Sequence, residues 1–237
     1  MRILALDCSA KAVSAAIAAD GRLLSEGFLN IPLTHSETLM PLCEQVLQNA
    51  RLSLREIDCL AVTAGPGSFT GIRIGISAVK GMCFAEKKSV YPFSTLAAMA
   101  LSLRELPLGD CVVCGLMDAR REQFYNALFE FRGGAPRRLT EDRLISAEAL
   151  AKELKNRYNN KKVILTGDGA RLFESLIPAA PNLFLAPEAY LMQRACGIAL
   201  AASRADCPVV PVSADALQPI YLRKSQAERE REQALHA

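Results

Sequence analysis

Short uninterrupted apolar runs alternate along the chain with stretches whose apolar positions recur every three or four residues, the pattern of buried strands interleaved with amphipathic helices. "RILALDCS", with Asp7 closing its apolar part, "AVSAAIAA" and "RLLSEGFL" are separated by turns at Lys11 and Asp20-Gly21 and predict a three-stranded meander. "THSETLMPLCEQVLQNA" then places Leu39, Met40, Cys43, Val46 and Leu47 on one helix face behind a Thr34-x-x-Glu37 capping-box spacing, with Pro41 expected to bend the first turns. A strand "CLAVTA", a glycine loop, a helix beginning near Ser68 or Thr70, a brief strand near "VYPF" and a helix from Ser94 to about Leu103 complete a βββαβαβα order.

The second half repeats that order. "CVVCGLMDAR" closes on Asp118, "QFYNALFEF" follows, and a third strand is predicted near "RRLTE". Then come a helix in "SAEALAKELKN", the strand "KKVILTGDG", a helix opening at "ARLFESL" and a last long helix in "APEAYLMQRACGIALAASRA". "ILALDCS" aligns with "VCGLMDA" and "LAVTAGPG" with "VILTGDGA", at separations of 58 residues (Asp7 to Gly65) and 49 (Asp118 to Gly167). The pattern predicts an internal duplication: an α/β protein of two lobes, each a mixed sheet flanked by helices. Pro107 and Gly109 in "RELPLGD" mark a boundary, giving lobes at 1–105 and 106–209. The apolar run at 210–224 is expected to pack back on the first lobe, and 225–237, with His236, reads as a charged tail.

Composition narrows the functional classes. At 237 residues, 51% hydrophobic and 22% charged, with a net charge of +3, the chain is neither disordered nor a dedicated nucleic-acid binder. Basic pairs at Arg120/Arg121, Arg137/Arg138 and Lys161/Lys162 leave room for contact with RNA carried by a partner. Asp7 and Lys11 interrupt any leader-like run at the start, and no segment approaches the roughly 18 apolar residues of a membrane span; a cytoplasmic location is expected. The eight cysteines then read as reduced core residues, and Cys111-x-x-Cys114, inside a strand and with only His35 and His236 in the chain, does not make a zinc site.

The densest signal is "AVTAGPGSFTGIRIGISAVKGM", Ala61 to Met82, with five glycines. As a phosphate cradle it fails both common patterns: Ile72 stands where G-x-x-x-x-G-K-[ST] needs lysine, and Thr70 where G-x-G-x-x-G needs its third glycine. A strand, a turn and a helix N-terminus remain, which can hold an anion only generically. Within the helix, Gly71, Gly75 and Gly81 with Ser77 and Ala78 leave a face nearly free of side chains. Each interior glycine costs about 1 kcal/mol relative to alanine, so a closely approaching neighbour, in the same lobe or in another subunit, is expected to compensate.

Two lobes of this order, each with an acidic residue closing its first strand, resemble the actin, Hsp70 and sugar-kinase superfamily, whose sheets share a ribonuclease H-like pattern. That resemblance places nucleotide phosphates between the lobes, here near Asp7, Ser9, Asp118 and the loops at Gly65, Gly67 and Gly167 to Gly169. "LALDCS", "HSETLMPL", the glycine stretch and "PIYLR" together are similar to the TsaB (YeaZ) family, strongly over the first hundred residues and in pattern only over the second lobe. The resemblance implies a non-catalytic subunit of the bacterial tRNA threonylcarbamoyladenosine machinery. Such a subunit supports a catalytic paralogue, TsaD, with the ATPase TsaE as third partner, touches tRNA through the complex, and forms homodimers when free. It also implies docking through first-lobe helices at Thr34 to Ala50 and Ser68 to Glu86, with His35, Leu39, Cys43, Ser68, Thr70, Gly71, Gly75 and Val79 as candidate partner-binding residues.

No tightly bound cofactor and no metal are expected, ATP or ADP being placed at a subunit border. The catalytic paralogue holds its metal with H-x-x-x-H shortly after a similar glycine stretch; the matching positions here are Thr95 and Met99, which do not replace imidazoles. Two alternatives stay open. One is an independent ATP-dependent phosphotransferase using Asp7 or Asp118, each of which can equally cap a strand end. The other, more remote, is a peptidase, for which only His35 and His236 offer an imidazole.

Overall fold

A computed structural model describes residues 1–223; the charged tail expected at 225–237 lies outside them. The chain runs β1 (Arg2–Asp7), β2 (Val13–Ala19), β3 (Arg22–Leu29), α1 (His35–Asn49), β4 (Cys59–Gly65), α2 (Phe69–Glu86), β5 (Ser89–Ser94) and α3 (Thr95–Ser102). It continues with β6 (Cys111–Asp118), β7 (Gln123–Phe131), β8 (Arg137–Arg138), β9 (Arg143–Ser146), α4 (Ala147–Tyr158), β10 (Lys162–Thr166), α5 (Ala170–Leu176), β11 (Leu183–Leu185), α6 (Ala195–Ala202) and β12 (Val212–Ser213). No described helix is long and apolar enough to cross a membrane.

The first sheet has the order β12-β5-β4-β1-β2-β3, and the second β11-β10-β6-β7-β8 with β9 also on β7. In each, the opening strands pair antiparallel and the later ones add in parallel to the first strand. The two halves thus share one strand order, that of an actin/Hsp70/sugar-kinase-like fold. Val212–Ser213 pairs antiparallel with β5, returning the chain to the first sheet.

Alternation along the strands sorts the first sheet's core into two layers. Leu4, Leu6 and Cys8 face α1 and α2, beside Val13, Ile17, Leu60 and Val62. Ile3 and Ala5, with Ala16, Ala18 and Ala61, face α6, whose Ala195, Ala199 and Ala202 let it lie close to a surface of equally small residues. α3 turns the other way, sending Leu96, Met99 and Leu103 into the core of the second sheet. The halves therefore exchange helices, so a cut at 105/106 in sequence does not separate their cores. α3 and α6 cross where Gly197 meets Ser102: a Cβ on Gly197 would lie 2.5 Å from the Ser102 hydroxyl.

Several local expectations are corrected. The Thr34-x-x-Glu37 spacing forms no side-chain cap on α1; Thr34 instead shares a hydrogen bond with the Ser36 hydroxyl at 3.1 Å. The capping box that does form is Ser53 with Glu56, on a short 3-10 turn at Leu54–Glu56. The buried face of α1 is Leu39, Leu42, Cys43 and Val46, while Met40 is 47% exposed. The third strand of the second half is split into β8 and β9. The last long helix is broken, because Arg194 is extended between a 3-10 turn at Glu188–Tyr190 and α6. Its guanidinium binds both oxygens of Glu26 in β3, at 3.0 and 2.9 Å, and lies over the Phe28 ring. This long-range ion pair anchors Arg194, the extended N-cap of α6, to the first sheet.

Candidate functional site

The glycine loop is shaped by contacts within the chain. Gly65 and Gly67 have φ of +124° and +157°, a region that disfavours side chains. A Cβ at Gly65 would lie 2.2 Å from the Ile220 carbonyl oxygen, and one at Gly67 2.2 Å from that of Ser9. A Cβ at Gly71 would lie 2.0 Å from the Cys8 carbonyl oxygen. Backbone bonds tie the same surfaces: Ser68 N–H donates to Ser9 at 2.7 Å, and Ile220 N–H donates to Ala64 at 2.7 Å. Ser68 caps α2, its hydroxyl accepting from Gly71 N–H at 3.2 Å. Phe69 stacks on Tyr221, whose hydroxyl accepts from Arg73 Nε at 2.9 Å. The β1–β2 hairpin and the stretch at Ile220 and Tyr221 sit against this loop.

The acidic positions diverge in setting. Asp7 is fully buried, its Oδ1 accepting from the Ser9 amide at 2.9 Å and hydroxyl at 2.7 Å. Burial pushes its carboxyl up, against the lowering effect of those bonds. Asp118 closes a turn by accepting from Arg120 N–H at 2.7 Å. Gly167 packs on the Leu116 carbonyl, where a Cβ would lie at 2.0 Å, and donates to Leu191 at 2.6 Å. The loop residue that sequence reasoning passed over is Asp168. Burial first, and the Asp118 charge as well, push it up to about 6, against Lys11 of the β1–β2 hairpin and the Asp118 amide. Lys11 thus acts on Asp168 of the second lobe from the first. An acidic residue between the two glycines of "TGDG" was the available signal.

The candidate partner-binding residues separate into two groups. Leu39, Cys43 and Val79 are core residues, at most 2% exposed, and Gly71 and Gly75 are buried. Gly75 faces Cys8 and Val62 of its own lobe, a Cβ there meeting Cys8 Sγ at 3.4 Å. The compensation for Gly71 and Gly75 is therefore internal, and these five positions are unavailable to a partner. His35 is half-buried, its Nε2 2.7 Å from the Ala10 carbonyl oxygen and its ring edge against Gly71; it ties α1 to the hairpin. Ser68 and Thr70 are exposed. The outward face of α2 runs through Thr70, Arg73, Ser77, Gly81 and Phe84, with Ile74 and Ala78 half-buried beside it. Phe84 is 89% exposed, and a Cβ at Gly81 would meet nothing within 4 Å. α1 presents Met40 and Glu44 outward.

Thr95 and Met99 are both buried in α3, Met99 with its sulfur against Gly167. All eight cysteines are free. Cys114 accepts from Asn126 in the second core, and burial pushes the thiols of Cys43, Cys114 and Cys196 up to about 12, so they stay protonated.

Comparison with known proteins places this geometry. Residues 32–228 match the family model described as TsaD, tRNA N6-adenosine threonylcarbamoyltransferase. The chain is 37% identical over 125 residues to the tRNA threonylcarbamoyladenosine biosynthesis protein TsaB of Haemophilus influenzae, covering 53% of this chain and 52% of that one. For the TsaB of Bacillus subtilis the identity is 25% over 177 residues, 75% of each chain. The matched segment thus spans about half the length of the Haemophilus relative. The solved structure of YeaZ from Pseudomonas aeruginosa superposes with a TM-score of 0.78 at 28% identity, covering 93% of this chain and 99% of that one.

Proposed function

The chain belongs to the tRNA N6-adenosine threonylcarbamoyltransferase family, in its TsaB (YeaZ) group, and we propose that it acts there as a partner subunit without chemistry of its own. In this reading it docks on a catalytic TsaD-type paralogue and holds it competent to transfer a threonylcarbamoyl group to the tRNA adenosine beside the anticodon. A TsaE-type ATPase completes the set, and the free chain pairs with a second copy through the same face, in the cytoplasm.

The observation that carries the reading is the outward surface of α1 and α2. Met40, Ile74, Ala78, Gly81 and Phe84 leave apolar and small groups accessible on two adjacent helices, the kind of surface that allows close helix approach. The absence of imidazoles at Thr95 and Met99 supports a supporting role over catalysis. An adenine nucleotide at a subunit border is also part of the proposal.

Reconstitution tests it. Purified catalytic paralogue, ATPase and tRNA, mixed with and without this chain, are assayed for threonylcarbamoyladenosine. Modification is expected only with the chain present, and none with the chain as sole protein. Full modification without it, or nucleotide turnover by the isolated chain, would overturn the reading, the latter in favour of a phosphotransferase.

A further inference from the structure

On one face of the second sheet, two nearly buried carboxylates hold five cations. Glu130 of β7, its side chain 6% exposed, accepts from Arg132, Arg137 and Lys161 at 3.0, 2.6 and 3.0 Å. Glu153 of α4, 15% exposed, pairs with Arg143 at 2.7 Å and Arg157 at 3.6 Å. Asn126, on the same face of β7 as Glu130, accepts from Arg143. Arg137, first in effect, then Lys161 and Arg132 hold the Glu130 carboxyl down at about 2, against the burial that pushes it up; it stays an anion at any physiological pH.

One cation per carboxylate would give neutrality, and here the balance is an excess of three positive charges. Arg132 and Arg137 flank the turn between β7 and β8, Arg143 is in β9, and Arg157 and Lys161 lie at and just past the end of α4, so three stretches of chain meet here. Arg132, Arg137 and Arg157 keep about 70% of their side-chain surface in water. A guanidinium has five N–H donors, and each of these engages a carboxylate through one nitrogen, so donors remain for an external anion. The carboxylates thus act as anchors that orient a positive stripe rather than neutralise it. Multiple fixed cations with spare donors suit a ligand with phosphates repeated along a chain.

We infer that this stripe, Arg132, Arg137, Lys161, Arg143 and Arg157 fixed by Glu130 and Glu153, is a docking surface for the phosphate backbone of RNA. The choice of RNA among polyanions rests on the tRNA pathway proposed above. Contact of this kind positions the nucleic acid without reading sequence, and it gives this chain a direct hold on the substrate in addition to its hold on a protein partner.

The test is equilibrium binding of a tRNA transcript to the full chain, alone and in the reconstituted complex, across a salt series. The variant is Glu130→Gln with Arg132→Gln, Arg137→Gln and Lys161→Gln, which removes three cations without stranding a buried charge; circular dichroism checks that it folds. Because each phosphate contact contributes about 0.7 to 0.9 to the log–log salt slope, the slope should fall by about 2 and affinity at low salt by tenfold or more. The single variant Glu130→Gln, which frees the three cations, should bind at least as tightly as wild type. Unchanged affinity and slope would overturn the inference and leave the charges as protection of a sheet edge. Binding of the wild type to phosphatidylserine vesicles but not to tRNA would overturn it too. If the chain proves dispensable for modification yet the stripe binds tRNA, the proposed function alone fails; the reverse outcome removes only the stripe.

Discussion

The ring of Phe69 stacks on that of Tyr221 with centroids 4.3 Å apart and planes 14° from parallel. It joins the first turn of α2 to a stretch far down the chain, and Ile220 beside it closes over Gly65. Stacked aromatic pairs contribute about 0.5–1.5 kcal/mol beyond their burial. Tyr221→Ala should lower unfolding free energy by about 1–3 kcal/mol and speed hydrogen exchange of the Ile220 amide, which bonds to Ala64. Tyr221→Phe keeps the stack and loses only the Arg73 bond, so its loss should stay under about 1 kcal/mol. Unaltered exchange in Tyr221→Ala would show that the stack does not hold the loop.

Gly71 and Gly75 should respond in opposite ways to alanine. At Gly71 the new methyl would press on a backbone oxygen, which cannot swing aside, and overpacking of that kind costs about 1–3 kcal/mol. At Gly75 the contact distance is ordinary, so the helical gain of about 1 kcal/mol should leave the protein as stable or more so. Denaturant titration separates them, and equal effects would contradict the packing described. Gly75→Leu should destabilise the fold rather than act at an interface, since its side chain would enter the lobe's own core.

Association should depend on the outward face. Ser77→Arg and Met40→Asp alter exposed positions, so stability should change by no more than about 0.5 kcal/mol. Docking of the catalytic paralogue, and self-association, should weaken tenfold or more, about 1.4 kcal/mol. Sedimentation and calorimetric binding measure both; wild-type affinity in the two variants would move the interface elsewhere.

Asp168 makes stability pH-dependent with a definite sign. Its folded pKa of about 6 lies above the usual 3.8, so the folded state holds the proton more tightly and stability falls as pH rises between those values. Lys11 opposes the shift and Asp118 adds to it. Asp168→Asn removes the cost. Its advantage over wild type should grow by on the order of 1–3 kcal/mol from pH 4 to pH 7.5, and a pH-independent difference would contradict the burial.

Strand order and duplication were legible because buried strands in this fold are continuous apolar runs bounded by glycine, aspartate or proline. Legibility ended where one residue answers to a distant one. Local propensity continues a helix through Arg194, but there the chain is extended and paired with Glu26 of β3. Spacing identified a small-residue stripe on α2, yet could not say that Gly71 and Gly75 turn inward to Cys8 while Ser77 and Gly81 turn outward. The two missing motif residues weakened the phosphate reading of the glycine loop, but the packing of the Ile220 and Ser9 backbone on Gly65 and Gly67 is visible only in three dimensions. The convergence of Arg137 and Lys161 on Glu130 likewise depends on β7 lying between two segments that sequence treats as unrelated.

Because α3 is lent to the second sheet and α6 to the first, neither half owns a complete core. A peptide ending near Leu106 would lose β12 from its sheet and expose the alanine surface that α6 covers, and the remainder would lack Leu96, Met99 and Leu103. Calorimetry of the whole chain should therefore record one transition, and a single protease nick near Pro107 should leave two fragments that migrate together until denaturant is added. Two lobes by architecture should thus melt as a single unit.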